Sequence, residues 1–252
     1  MPRISRRAFI TFACLLSMTA SLSAAEPAPE LKIGSLPVSK ILVLGNSITF
    51  HPPSQGWTGN WGMAASAKEK DFAHRLLAHI EKAAHGKPEL RAYNIADFER
   101  QHASWDFTAA LKDTASGEPI ADDYAPDLII LAIGENVPAL ETPEARDGYE
   151  KAFASLLKRL DHSGHPTFIV RSCFWGNSAK DDIMRKVCGE AGGHFVDLKG
   201  LDADPLNYAR AERDFEHPGV AGHPGDRGMA AIADAIWSVI QKIPAAAQNP
   251  AP

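Results

Sequence analysis

Short apolar runs alternate along the chain with stretches whose apolar residues recur at helical spacing. The runs predict strands over residues 40–44, 90–94, 127–133, 167–171 and 194–197. The third contains LIILAI, with no polar alternation, the mark of a strand covered on both faces. The helical spacing predicts helices over 63–84, 143–160, 180–191 and 226–243. In DFAHRLLAHIEKAAHGK the pattern closes on Gly86, which reads as the C-terminal cap. This order predicts an α/β fold with a parallel sheet between two layers of helices. Five strands suit a flavodoxin-like, doubly wound, three-layer α/β/α sandwich. Ligand sites in such sheets gather at the carboxyl ends of the strands.

The length, 252 residues, suits one domain with a substantial core. A net charge of −5 with mixed signs gives no nucleic-acid footprint. No internal apolar run is long enough to cross a bilayer. Residues 1–25 read as an export signal instead. Arg6 and Arg7 in SRRAFI precede the apolar FITFACLLSMTA and then small residues, and the pattern resembles the twin-arginine type. Cleavage after Ala25 would release Cys14 with the signal and send the protein to a bacterial periplasm or outside the cell; the alternative is an uncleaved N-terminal anchor. Residues 26–38 read as a linker, 39–243 as the domain and 244–252 as a disordered tail. Cys173 and Cys188 remain, as a disulfide or as two buried free thiols; spacing does not decide between them.

Three strand-end or loop segments carry residues suited to chemistry. ILVLGNSIT places Ser47 after a buried strand, where its hydroxyl could act as a nucleophile and its N–H could bind an anion; a turn or capping serine reads the same way. AIGENVP places Gly134 and Asn136 after the third strand. The Asn136 amide could donate to an oxyanion or make an Asx turn. HPGVAGHPGDRGM places His223 in a loop that opens the last helix, where a general base could approach the serine or a histidine could merely cap.

Taken together, these blocks resemble the SGNH hydrolases, also called GDSL-type esterases. LGNSIT matches their first block, IGEN their third and GHPGDRGM their last, in order, over roughly residues 39 to 243. The resemblance implies a serine esterase. Ser47 would attack an ester carbonyl, His223 would carry the proton, and the Ser47 N–H with the Asn136 side chain would hold the oxyanion.

Two positions depart from the family pattern. Phe98 or Glu99 stands where a glycine N–H usually completes the oxyanion hole, and Glu99 would bring negative charge beside the pocket. Val220 stands three residues before His223, where an aspartate usually orients the imidazole. A backbone carbonyl could orient His223, Glu216 or Asp214 could reach it, or the protein could be inactive.

Trp57, Trp61, Trp105 and Trp175 fall in predicted loops, where rings stack on sugars or pack the loops down. Trp61 is the candidate for substrate binding. Export with loop tryptophans points to O-acetyl esters of carbohydrate. A lipid or thioester acylhydrolase and a non-catalytic carbohydrate-binding pseudoenzyme are the alternatives. No cofactor or metal is expected. Dinucleotide and phosphate-loop motifs are absent from the sequence, and His74, His79 and His85 do not stack on one helix face. The expected partner is an acylated small molecule or polysaccharide.

Overall fold

The run KILVLG, Lys40–Gly45, forms the strand β3 with its residues buried on both faces. Ile41 and Val43 point into one apolar layer, Leu42 and Leu44 into the other, as the two-residue period of a strand requires. The computed structural model describes residues 30–120, 122–161 and 165–243. The readings for residues 1–25 and 244–252 lie outside the described residues. A two-stranded antiparallel hairpin, β1 (Lys32–Ile33) and β2 (Leu36–Pro37), comes first. It lies inside the segment read as a linker, and its order has a physical cause: Leu36 and Val38 are buried in the core.

Around β3 run four parallel strands, β4 (Glu89–Asn94), β5 (Leu128–Ala132), β6 (Thr167–Arg171) and β7 (His194–Val196). Their spatial order is β4-β3-β5-β6-β7. This is the flavodoxin-like, doubly wound layout, and its switch point lies where β3 sends one connection to β4 and faces β5 on the other side. Helices α1 (Phe72–Ala84) and α6 (Asp226–Ile240) cover one face, while α3 (Pro143–Leu160) and α4 (Ser178–Glu190) cover the other. The short α2 (Ala96–Gln101) and α5 (Pro218–Ala221) sit in the connections that reach the switch point. None of the helices searched, all within the described residues, is long and apolar enough to cross a membrane.

Helix α4 starts at Ser178 rather than residue 180 and α6 ends at Ile240 rather than residue 243, but the larger departures are at the two ends of α1. Helix α1 begins at Phe72, not at residue 63, because Asp71 caps it: its carboxylate accepts from His74 N at 2.8 Å and from Gly62 N at 3.2 Å. At the other end His85, with φ 52°, takes the left-handed position assigned to Gly86. Gly86 is needed for space instead, since a Cβ there would fall 2.4 Å from the Leu31 side chain. Cys173 and Cys188 are both free and buried. Burial pushes both thiols up, Cys188 to about 11, so neither is a ready nucleophile.

Candidate active site

The turn after β3 is built around Asn46. Its side-chain carbonyl accepts from Ile48 N at 3.1 Å and its main-chain carbonyl from Thr49 N at 2.9 Å. The chain folds so tightly here that a Cβ on Gly45 would lie 1.8 Å from Thr49 Oγ1 and 2.9 Å from Ala132 O. Only glycine fits, and close approach is the reason rather than a special φ. Ser47 is thereby held half-buried at the carboxyl end of β3. Met63 N donates to Ser47 O at 2.8 Å, which folds the 51–66 loop back onto the turn. Among the described residues nothing accepts from the Ser47 N–H.

Ser47 Oγ lies 2.9 Å from His223 Nε2. The second ring nitrogen, Nδ1, is 2.7 Å from Gly219 O. A carbonyl only accepts, so Nδ1 carries the proton and Nε2 presents a lone pair to the serine hydroxyl. That carbonyl is available because α5 stops. His223 N turns to Val220 O at 3.0 Å, and the Gly219 carbonyl at the end of the short helix is left for the imidazole. The ring of Trp175 stands edge-on to the imidazole, with centroids 5.4 Å apart.

The loop is pinned from the other side as well. Glu212 accepts from Asp226 N and Arg227 N, both at 2.8 Å, and so caps α6 directly after the histidine. Burial holds the His223 pKa below its ordinary value, helped by the nearby His51; the Gly219 bond and the charge of Glu135 pull the other way.

Asn136 follows β5 across the switch point. Its loop is shaped by Gly134, at φ 122°, where a Cβ would also meet Cys173 Sγ at 2.5 Å. The buried Lys180 side chain fixes the loop carbonyls, donating to Gly134 O at 3.0 Å and to Val137 O at 2.5 Å. Ser47, Asn136 and His223 border one cavity of about 380 Å³, together with His51, Met63, Asn94, Ala96 and Arg100.

Against Asn136 lies a polar cluster of which the sequence marked only Glu99. Asn46 Nδ2 donates to Glu99 Oε1 at 3.3 Å and to Glu135 Oε2 at 2.6 Å. Glu135 also takes Arg171 Nη1 at 2.6 Å and Phe174 N at 2.9 Å. Burial pushes the Glu135 carboxyl up, but the charge and hydrogen bond of Arg171, with the bonds from Phe174 N and Asn46, outweigh it and leave its pKa lowered. Glu99 has no such cation. Burial, then the charge of Glu135, raises its pKa against the hydrogen bonds it accepts. Asn46 and Glu135 stand inside the GNS and GEN blocks, which is the one signal that could have marked them. Arg171 ends β6 with no motif around it.

Several site readings change with these positions. Glu99 is fully buried and does not border the cavity; it contacts Asn136 from below. Its backbone N–H is directed to Ile95 O at 3.4 Å, in the first turn of α2, so it is no free oxyanion donor. Gly134 shapes the loop but is buried, and its N–H goes to Glu99. Glu216 is exposed, and the imidazole position assigned to it is taken by Gly219 O. Asp214 is exposed as well. Trp61 packs edge-on against Trp57, donates to Ala65 O at 2.9 Å and does not border the cavity. Trp57 is buried, and Trp105 packs against Phe98. Val220 fills a small apolar cluster with Trp57, Met63, Ala64 and Ala209.

No protein-family model matches the sequence, and no curated protein does. Solved structures do match. One is a carbohydrate esterase whose active site displays divergent catalytic and non-catalytic binding functions; identity is 14%, 81% of this chain and 68% of that chain are covered, and the TM-score is 0.50. Another is a protein designated a GDSL-like lipase from Bacteroides ovatus, at 14% identity, covering 81% of this chain and 99% of that one, with a TM-score of 0.50. The chain therefore has the SGNH hydrolase fold.

Proposed function

We propose that the protein is a serine esterase that works with a Ser47–His223 dyad. The observation that carries the proposal is the 2.9 Å contact between Ser47 Oγ and His223 Nε2, with Nδ1 committed to Gly219 O. In the forward step Ser47 Oγ bonds to the ester carbonyl carbon as its proton passes to Nε2. The carbonyl oxygen becomes an oxyanion facing the Ser47 N–H and the Asn136 amide. Collapse breaks the bond to the alcohol, which leaves with the proton from Nε2. Water, activated by the same nitrogen, then releases the acid and restores the serine.

The dyad needs no carboxylate for orientation, since the Gly219 carbonyl already fixes tautomer and ring. What is missing is a full negative charge behind the imidazolium.

The substrate proposal is an O-acetyl ester on carbohydrate. The carbohydrate esterase among the fold's neighbours and the export-type N-terminus support it. The test is release of acetate from acetylated xylan and acetylated peptidoglycan, set against long-chain acyl esters. Acetate release at rates well above those on the long-chain esters is expected. Turnover confined to long-chain esters or thioesters would contradict the substrate class. Polysaccharide binding with no turnover of any ester would favour a carbohydrate-binding role on the same fold.

A further inference from the structure

The Glu99 carboxyl group collects four hydrogen-bond donors. Oε1 takes Gly134 N at 2.6 Å, Asn136 N at 3.2 Å and Asn46 Nδ2 at 3.3 Å, while Oε2 takes Asn136 Nδ2 at 2.8 Å. The side chain is fully buried. All four contacts are ones the carboxyl group accepts, the role a carboxylate fills best, while burial and the charge of Glu135 raise its pKa. It also lacks a cation of its own, because Arg171 bonds Glu135. A buried charge held this way is costly and calls for a role.

One detail points to the role. The same carboxylate accepts both the backbone and the side-chain N–H of Asn136. Only an amide turned with its NH2 group inward can satisfy both. Turned in this way, the amide spends one N–H on Glu99. No other acceptor among the described residues takes the second, and Asn136 borders the cavity beside Ser47.

We propose that Glu99 is a positioning residue: it locks the Asn136 side chain in the one orientation that presents an N–H to the developing oxyanion. This rests on the esterase reading above. It also accounts for the position of Glu99 itself. Its own N–H is turned to Ile95 O, and its side chain supplies instead the group that holds the Asn136 amide in place.

Glu99→Gln keeps the shape but puts an NH2 group or a neutral oxygen where the carboxylate accepted. The test combines steady-state kinetics on p-nitrophenyl acetate with side-chain amide NMR. Four proteins are compared: wild type, Glu99→Gln, Asn136→Ala and the double variant. Glu99→Gln should lower kcat by about 10²-fold with KM within about threefold, the signature of a lost transition-state donor. In the Asn136→Ala background the same change should cost less than about threefold, since there is no amide left to position. A kcat within threefold of wild type for Glu99→Gln, or an equal loss in both backgrounds, overturns the proposal.

The Asn136 NH2 signal, assigned by its loss in Asn136→Ala, should be split and slow to exchange in wild type and should shift in Glu99→Gln. A narrow, fast-exchanging signal in wild type overturns the proposal even if Glu99→Gln does not fold. Absence of turnover in wild type, or its persistence in Ser47→Ala, refutes the esterase reading instead, and the NMR signal still decides the orientation of Asn136.

Discussion

His223 Nδ1 has a carbonyl for a partner, and that choice sets the pH behaviour of the site. A neutral carbonyl orients the ring but does little to hold a proton on it, whereas a carboxylate there would raise the pKa. Burial pushes the His223 pKa below the ordinary histidine value. The base form is the active one, so activity is full above that pKa and falls as pH drops through it. The acid limb of kcat/KM should therefore be centred below 6.5, the unshifted histidine value. A limb centred above 7 would reveal a carboxylate behind the ring. Glu216→Ala should leave kcat/KM within about threefold, because Glu216 is exposed while Gly219 O holds the ring. At this scale the sequence disclosed Ser47, Asn136 and His223, because strand ends and a loop before a helix are places where position follows from order along the chain. Asn46, Glu99, Glu135 and Arg171 come from four separate segments. Their meeting depends on side-chain reach beneath the turn, which no spacing in one dimension encodes.

Among the elements, the strands follow the sequence pattern closely: all five begin and end within one residue of the predicted bounds, and Thr167–Arg171 is identical. Continuous apolar runs leave little choice when both faces are covered. The loop 51–71 departs from its sequence pattern. WGMAASA has the composition of a helix, but Met63 and Ala64 are spent on the apolar cluster around Val220, and Asp71 draws the chain back to Gly62. The short helices α2 and α5 are too brief to show a period.

The cluster around Val220 leads to an expectation about the missing aspartate. Val220→Asp introduces the residue that the SGNH resemblance leads one to expect, but places it in the apolar cluster of Trp57, Met63 and Ala209. The change should lower stability by about 2–3 kcal/mol, read from denaturant unfolding, and should not raise kcat/KM. A stable variant with a faster rate would show that the aspartate can reach His223 and that the carbonyl is only a substitute.

At the scale of the molecule, the strand order β4-β3-β5-β6-β7 explains why residues 47, 136 and 223 meet. The first and third strands of the parallel sheet are neighbours at the switch point, so the turn after one and the loop after the other open onto the same crevice. The last helix, packed against α1 on one face, brings its preceding loop over that crevice, and Glu212 and Ser66 tie its first residues down. The doubly wound layout was legible from the alternation of strands and helices. The small hairpin at residues 32–37 was not, since two-residue strands carry no pattern.

The central claim is that Ser47 and His223 form a working nucleophile and base. The most direct measurement is hydrolysis of p-nitrophenyl acetate by the wild-type protein, by Ser47→Ala and by His223→Ala. Turnover by the wild type that falls by at least about 10³-fold in both variants is the expected result. Turnover that survives unchanged in either variant would contradict it, because the ester would then be cleaved without the pair.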